Sequence, residues 1–275
     1  MLEQPLITVI TPSFQQGKFI EDCLLSVKNQ TYKHLEHIVL DACSSDETDA
    51  VIKTYLGSYN LIYLREKDTG QANAINKGFD MAQGEIVCWL NADDFYINSL
   101  VLEKVVTIFL FSTLNIDVVV GDGYYVDTAK KTLYPIFLNR PKLASYQFIK
   151  HTDPFLQPST FWKKNPIRLD ENLHYAFDWK FFIDLYKHGF SFYYAREYYS
   201  CYRIHDSSKT CLDNARRRKE IIEVLKYNQA SSLPLGLAYL TYWGYVVAEK
   251  TGLPVIKRIF LFLNSVLKVI TGDRV

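Results

Sequence analysis

Trp89-Leu90-Asn91-Ala92-Asp93-Asp94 is the stretch from which the rest of the chain is read: the apolar run Ile86 to Leu90 ends abruptly in two adjacent carboxylates. A run of that length bounded by polar residues reads as a buried strand. The end of such a strand is where an open α/β sheet presents its ligands. Two carboxylates side by side repel each other, so a site that keeps both ionised holds a cation. Hard oxygen donors suit Mg²⁺ or Mn²⁺, ions that keep coordination positions open for substrate phosphates. Read alone, Asp93 and Asp94 serve equally well as caps for the helix that begins near Ser99. The remainder of the chain separates the two readings.

Upstream, three units repeat the same plan. Leu6 to Thr11 is a β-branched run, followed by Pro12-Ser13-Phe14 and by Phe19 to Val27, whose apolar positions recur at helical spacing. His37 to Leu40 is a second strand ending in Asp41, and Ser44-Ser45-Asp46-Glu47 offers a capping box for a helix to about Leu56. Leu61 to Leu64 is a third, ending in Arg65-Glu66-Lys67-Asp68, before a helix from about Gln71 to Ala82 with Gly84 as its C-cap. Such alternation makes a parallel sheet with crossover helices. Pro12-Ser13, Asp41, Arg65 to Asp68 and Asn91 to Asp94 each follow a strand, so all four line one sheet edge. A nucleotide diphosphate would find there groups for base and ribose, a cation site, and basic side chains such as Arg65 and Lys77. The loop Thr11 to Gly17 lacks the glycine spacing of a dinucleotide site, and no Walker-type loop occurs, which excludes an NAD oxidoreductase and a P-loop enzyme.

Downstream the order changes to α+β. A helix near Ser99 to Ser112 precedes the strand Asp117 to Gly121, a hairpin from Tyr124 to Tyr134 turning at Ala129-Lys130-Lys131, and a short strand Thr160 to Lys163. A helix then runs to His188, with Asp178 in position to cap it, and a last strand covers about Ser191 to Ile204. In the tail, Ser231 to Ala248 carries no charge but is interrupted by Pro234, Gly236 and Gly244. Ile256, Ile259, Phe260, Leu263, Leu267 and Ile270 recur on one helical face, with Lys257, Arg258 and Lys268 elsewhere. A basic amphipathic helix on a membrane surface and a helix packed on the domain or on a second subunit of a homodimer both fit this pattern.

Net charge is +1 at pH 7 over 275 residues, so no whole-chain field recruits nucleic acid. The five cysteines, Cys23, Cys43, Cys88, Cys201 and Cys211, are scattered and odd in number, as in a reduced, cytoplasmic protein. The opening Met1 to Pro5 has the character of no secretory signal.

The ordered set Thr11-Pro12-Ser13-Phe14, Asp41 with Ser44-Ser45-Asp46, Asp68-Thr69-Gly70-Gln71 through Asn76-Lys77-Gly78, Asn91-Ala92-Asp93-Asp94, Gln157-Pro158-Ser159, Ala176-Phe177-Asp178 and Arg203-Ile204-His205 resembles family 2 glycosyltransferases of the GT-A fold, over about residues 5 to 211. The likeness is to the bacterial branch that builds O-antigen, capsule and exopolysaccharide repeats. The Gln-x-x-Arg-Trp signature of processive synthases is absent, which implies one sugar per turnover. The resemblance implies an α/β fold with a Rossmann-like, mixed, mostly parallel sheet. It divides the chain into a transferase domain at 1–211, with a nucleotide-binding half at 1–95 and an acceptor half at 96–211, and a C-terminal helical region at 212–275.

It also implies the site. Asp41 reads the nucleobase with Pro12 and Ser13 against it, Asn91 falls at the ribose, and Asp93 and His205 match the groups that hold Mn²⁺ or Mg²⁺. Thr11, Arg65, Asp68, Gln71, Asn76, Lys77, Ala92 and Asp94 complete the nucleotide-sugar set, and Asp178 matches the catalytic base of an inverting displacement. The donor implied is a nucleotide sugar, UDP-linked before GDP- or dTDP-linked, and the acceptor a glycan or a polyprenyl-diphosphate-linked glycan at the cytoplasmic face of the membrane. Asn91 stands where Asp is usual, and Ala42-Cys43 replaces a pair of small, often glycine, residues after Asp41. The second departure bears on the base-binding loop.

Overall fold

The apolar runs of the N-terminal half are strands covered on both faces. A computed structural model describes residues 4–137, 146–206, 208–209, 215–251, 259 and 262–263. β1 (Ile7–Ser13), β2 (Leu35–Asp41), β3 (Leu61–Arg65) and β4 (Ile86–Trp89) lie parallel in the order β3-β2-β1-β4. The connections run through α1 (Ile20–Lys28), α2 (Thr48–Lys53) and α3 (Gln71–Met81). Ile7, Val9, Ile86 and Cys88 join a core with Cys23 and Val27 of α1, whereas Ile10, Val87 and Trp89 join one with Ala74, Ile75 and Phe79 of α3. Strands buried on both sides show no polar alternation, which is why these runs read as continuous.

The sheet continues into the second half as β4-β8-β6-β9-β5, with nine strands among the described residues. β5 (Phe95–Tyr96) and α4 (Val101–Phe111) precede β6 (Val118–Val126) and β7 (Thr132–Ile136). α5 (Tyr146–Ile149) and a 3-10 turn at Gln157–Ser159 lead to β8 (Thr160–Lys163), then α6 (Phe177–Lys187) and β9 (Phe192–Arg203). β8 is antiparallel to both β4 and β6, while β6 and β9 are parallel, so the sheet is mixed and mostly parallel as expected. The strand expected at Asp117 to Gly121 and the first arm of the hairpin are one strand, β6. β5 has two residues, too few to show a period.

α7 (Ala215–Tyr227) and α8 (Ser232–Thr251) follow. Val224 and Leu225 of α7 are buried in the same core as Phe181 and Phe182 of α6. Among the described residues no helix is long and apolar enough to cross a membrane. Most of the apolar repeat Ile256 to Ile270, and Cys211, lie outside the described residues.

Two local expectations are corrected. Gly84 is no left-handed cap: α3 closes at Ala82, and a Cβ on Gly84 would lie 2.6 Å from the carbonyl oxygen of Leu6 and 2.7 Å from the nitrogen of Thr8. Glycine is required there by the close approach to the start of β1. Ser44 to Glu47 forms no capping box either. Asp46 accepts the N–H of Thr48 at 3.1 Å and the N–H of Gly17 at 2.9 Å, tying α2 to the loop after β1, while Ser44 turns to Asp41.

Candidate active site

Ser13 pairs in register with Asp41, and Asp41 with Arg65, so three strand ends stand side by side. Asp41 is 1% exposed; its carboxylate accepts the N–H of Ser44 at 2.9 Å and its hydroxyl at 2.5 Å. Arg65 Nε is 3.6 Å from the same carboxylate, and its Nη2 donates to the Ser44 carbonyl at 2.9 Å. Ser13 Oγ is buried and, among the described residues, has no hydrogen-bond partner. A buried polar atom left unpaired costs about 1–3 kcal/mol, so this hydroxyl has a hydrogen bond to offer at the sheet edge. Cys43, in the loop where a glycine is common, has φ +58°. The turn keeps the left-handed geometry and the L residue bears a strain of about 1–2 kcal/mol.

Asp68 accepts the N–H of Gly70 at 2.9 Å ahead of α3, and burial raises its pKa, with the Asp41 charge adding to the effect. Gln71 donates to Asn91 Oδ1 at 2.8 Å, Asn91 donates to Asp94 Oδ2 at 3.1 Å, and Gln157 Nε2 donates to the Trp89 carbonyl at 2.6 Å. Lys77 is paired with Glu66 and reaches the Lys67 carbonyl at 3.3 Å.

The adjacent carboxylates face opposite ways. Asp93 Oδ2 is 3.0 Å from His205 Nε2, and the His205 ring packs on Phe19 at 4.6 Å between centroids. Asp94 is 1% exposed and accepts the main-chain N–H of Arg203 at 2.9 Å. Burial, and then the neighbouring Asp93 charge, push its carboxyl well above the usual range. Arg203, itself 1% exposed, donates from Nε to the Asp93 carbonyl at 2.9 Å, from Nη1 to the Thr128 carbonyl at 3.0 Å, and from Nη2 to Asp22 at 2.7 Å. Its guanidinium lies over Phe19 and Phe95. Burial alone would raise the Asp22 pKa; hydrogen bonds from Lys130 and Arg203 outweigh it and hold the carboxylate ionised. Asp93 is thus presented toward His205 by a buried cationic scaffold.

Among the described residues no group of three or more His, Cys, Asp or Glu is arranged around a metal position. One carboxylate and one imidazole nevertheless fit an ion that takes its other ligands from substrate phosphates and water.

In the second half of the chain, α6 starts at Phe177 with Ala176 as its N-cap, so the capping reading of Asp178 does not hold. Asp178 lies in the first turn, its Oδ1 accepting the N–H of Trp179 at 2.8 Å. Burial raises its pKa, and the charges of Arg217 and Lys209 oppose the rise. Lys209 in turn feels Asp178, Glu220 and Asp68, and burial draws its pKa down to about 8.

Three expected site residues also make contacts within the framework. Thr11 Oγ1 is 2.8 Å from His37 Nε2 inside the sheet layer, Asn76 exchanges hydrogen bonds with Leu169, and Ala92 sits in a core with Ile20 and Leu24. Conversely, Asp22, Lys209 and Glu220 were absent from the sequence-derived set, and Arg203 and Gln157 carried no role there. Asp22 lies off the apolar face of α1 formed by Ile20, Cys23, Leu24 and Val27, and no local sequence signal marks it.

A mixed sheet whose parallel half ends in this polar edge defines a GT-A-type α/β protein. The sequence model of glycosyl transferase family 2 matches residues 8–175, and the chain belongs to that family. A putative teichuronic acid biosynthesis glycosyltransferase of Bacillus subtilis is 39% identical over 94 residues, which cover 33% of this chain and 37% of that protein. A GalNAc(5)-diNAcBac-PP-undecaprenol beta-1,3-glucosyltransferase of Campylobacter jejuni is 37% identical over 93 residues, 33% of this chain and 30% of that one. The chain thus matches well under half the length of either relative. Among solved structures, S. aureus TarS 1-349 in complex with UDP-GlcNAc superposes with a TM-score of 0.64 at 18% identity, covering 84% of this chain and 69% of the 1-349 chain. The mannosyltransferase of Pyrobaculum calidifontis in complex with GDP-Man and Mn²⁺ gives 0.63 at 16% identity, covering 98% and 81%. At such identities the two structures establish the fold.

Proposed function

We propose that the protein is an inverting, metal-dependent glycosyltransferase that moves one sugar from a nucleotide-sugar donor to a hydroxyl of a glycan or lipid-linked glycan in bacterial surface polysaccharide synthesis. The observation that carries the reading is the approach of Asp93 and His205 to 3.0 Å at the same sheet edge as Asp41 and the unpartnered Ser13. Asp41 and Ser13 receive the base, and Asn91 and Gln71 the ribose side of the donor. Asp93 and His205 are the residues that would hold Mn²⁺ or Mg²⁺, which when bound neutralises charge developing on the diphosphate. Asp178 accepts the acceptor hydroxyl's proton as the new bond to the anomeric carbon forms and the bond to the diphosphate oxygen breaks. One displacement inverts the anomeric centre. A carboxyl whose pKa is raised by burial is the better base for this step near neutral pH.

The UDP-GlcNAc bound by TarS supports a UDP-linked donor, and the GDP-Man of the Pyrobaculum enzyme keeps a GDP-sugar as the alternative. The undecaprenol-linked substrate named for the Campylobacter relative supports a polyprenyl-diphosphate-linked acceptor at the cytoplasmic face of the membrane. A membrane surface is supported by α8, where Leu233, Leu240, Trp243 and Val247 are exposed along one side. Lys226 lies over the Tyr239 ring beside them. The test is a thermal-shift panel of UDP-, GDP- and dTDP-sugars with and without Mn²⁺. A rise in Tm with one nucleotide class, dependent on Mn²⁺, is the expected result. No rise with any of them removes the proposal.

A further inference from the structure

Three consecutive main-chain N–H groups, those of His174, Tyr175 and Ala176, donate to one carboxylate oxygen, Oε2 of Glu220, at 2.9, 2.6 and 3.2 Å. Glu220 comes from α7, 44 to 46 residues downstream, and is 4% exposed. Its other oxygen faces Arg216 Nε at 3.3 Å. Lys209 Nζ donates to the His174 carbonyl at 3.2 Å, with its ammonium 5.7 Å from the centre of the Phe177 ring. An anion therefore takes the donors of this loop and a cation takes an acceptor.

The loop ends at Ala176, the N-cap of α6, which has no side-chain cap, and Asp178 follows two residues later. A helix start without a capping side chain is free to fray, because its first N–H groups lack partners. Hydrogen bonds to an ionised acceptor are roughly twice as strong as neutral ones. Glu220 supplies that strength just ahead of the turn that aims Asp178. We infer that Glu220 is a positioning residue for the Asp178 base, which makes α7 part of the acceptor side of the active site. The inference rests on the reading of Asp178 given above.

α7 has its own anchors. Val224 and Leu225 are in the main core, and the Tyr227 hydroxyl donates to Asp184 of α6 at 2.7 Å. Loss of the Glu220 carboxylate therefore loosens the 174–176 loop without detaching the helix. The charged groups facing Asp178 are Arg217 of α7 and Lys209, and both remain in the variants.

The experiment compares full-length wild type, Glu220→Ala, Glu220→Gln and Asp178→Asn, reading UDP release from UDP-GlcNAc and UDP-glucose with Mn²⁺ across pH, UDP affinity by calorimetry, and amide exchange at residues 174–176. Glu220→Ala is expected to lower kcat by about 10²-fold, the cost of misplacing a reacting group by about an ångström, with UDP affinity within about twofold. The acid limb of the kcat profile moves to lower pH, because a loosened Asp178 gains water and its pKa falls toward the usual carboxylate range. Glu220→Gln keeps the volume and one acceptor oxygen and falls between. Exchange at the three amides accelerates in both. Wild-type kcat with an unmoved acid limb in Glu220→Ala, while Asp178→Asn is inactive, overturns this inference alone. Wild-type turnover in Asp178→Asn overturns the base assignment and this inference with it. If Glu220→Ala does not fold, Glu220→Gln decides by the same readings. Failure of both to fold makes Glu220 a fold determinant and overturns the proposal.

Discussion

Asp93 Oδ2 and His205 Nε2 meet at 3.0 Å although 112 residues of chain separate them. Asp93 keeps a partly exposed side chain, so Asp93→Ala should fold normally; the His205 side chain is 6% exposed and packs on Phe19, so His205→Gln, which keeps most of the volume, is the matching variant there. Each should weaken Mn²⁺-dependent UDP binding by more than the roughly 10–100-fold that outer-shell changes cost at metal sites. Calorimetric titration with UDP, with and without Mn²⁺, checks this; equal affinity in wild type and variants would sink the metal assignment.

Asp178→Asn removes the proton acceptor and keeps the size of the side chain. Turnover should fall by about 10²–10⁴-fold, with UDP affinity unchanged. In wild type, kcat should decline as pH falls through the raised pKa of Asp178, since only the ionised form accepts the proton. Initial rates from pH 5 to 8 test both statements.

Arg203 should be sensitive even to a change that keeps its charge. Arg203→Met leaves Asp22 without its buried partner and should cost about 3 kcal/mol, the lower end for such pairs because Asp22 keeps some access to water. Arg203→Lys should rescue little, because one ammonium cannot reach the Asp93 carbonyl, the Thr128 carbonyl and Asp22 together. Urea unfolding and nucleotide affinity are the measurements; wild-type stability in Arg203→Met would show the network to be incidental.

His37 sets an acid limb on stability. It is fully buried between Thr11 and Tyr59, and burial lowers its pKa from 6.5 to about 3. Between those values the unfolded chain binds a proton that the folded one does not, so stability rises with pH across that window. As pH falls from 6.5 toward 3 the protein should lose up to about 1.4 kcal/mol per pH unit from this group. His37→Gln should be less stable near pH 7 yet show a shallower slope in denaturation midpoints between pH 6 and 4.

The exposed face of α8 offers a test of membrane contact. A chain cut after Cys211 would lose α7, whose Val224 and Leu225 sit in the main core, so substitution is the sounder probe. Leu240→Ser, Trp243→Ser and Val247→Ser together should leave Tm within a few degrees and reduce co-sedimentation with anionic liposomes. Unchanged sedimentation, or a wild-type dimer lost in the variant, would assign this face to another role.

Much of the architecture was legible because it is written locally. β1 to β4 and their crossover helices follow from apolar runs and helical spacing, and the parallel order places Ser13, Asp41 and Arg65 in register. β5 and α5, of two and four residues, were not legible, since neither is long enough to show a period. The capping box failed because Asp41, three residues back, claimed Ser44, and Gly17, brought close by the β1–β2 pairing, claimed Asp46.

Within the site, sequence alone determined which residue types stand at the sheet edge and that two carboxylates close β4. It left Asp93 and Asp94 equivalent. Tertiary structure made them different: Arg203, arriving on β9, offers its main-chain N–H to Asp94 and turns it inward, while His205 stands opposite Asp93. It also drew Thr11 and Asn76 into the framework and set Glu220 beneath the loop that carries Asp178. Strands and helices are visible in sequence because their causes lie within a few neighbouring residues. A hydrogen bond across 44 or 112 residues depends on how those elements pack, and it leaves no period or spacing in the chain.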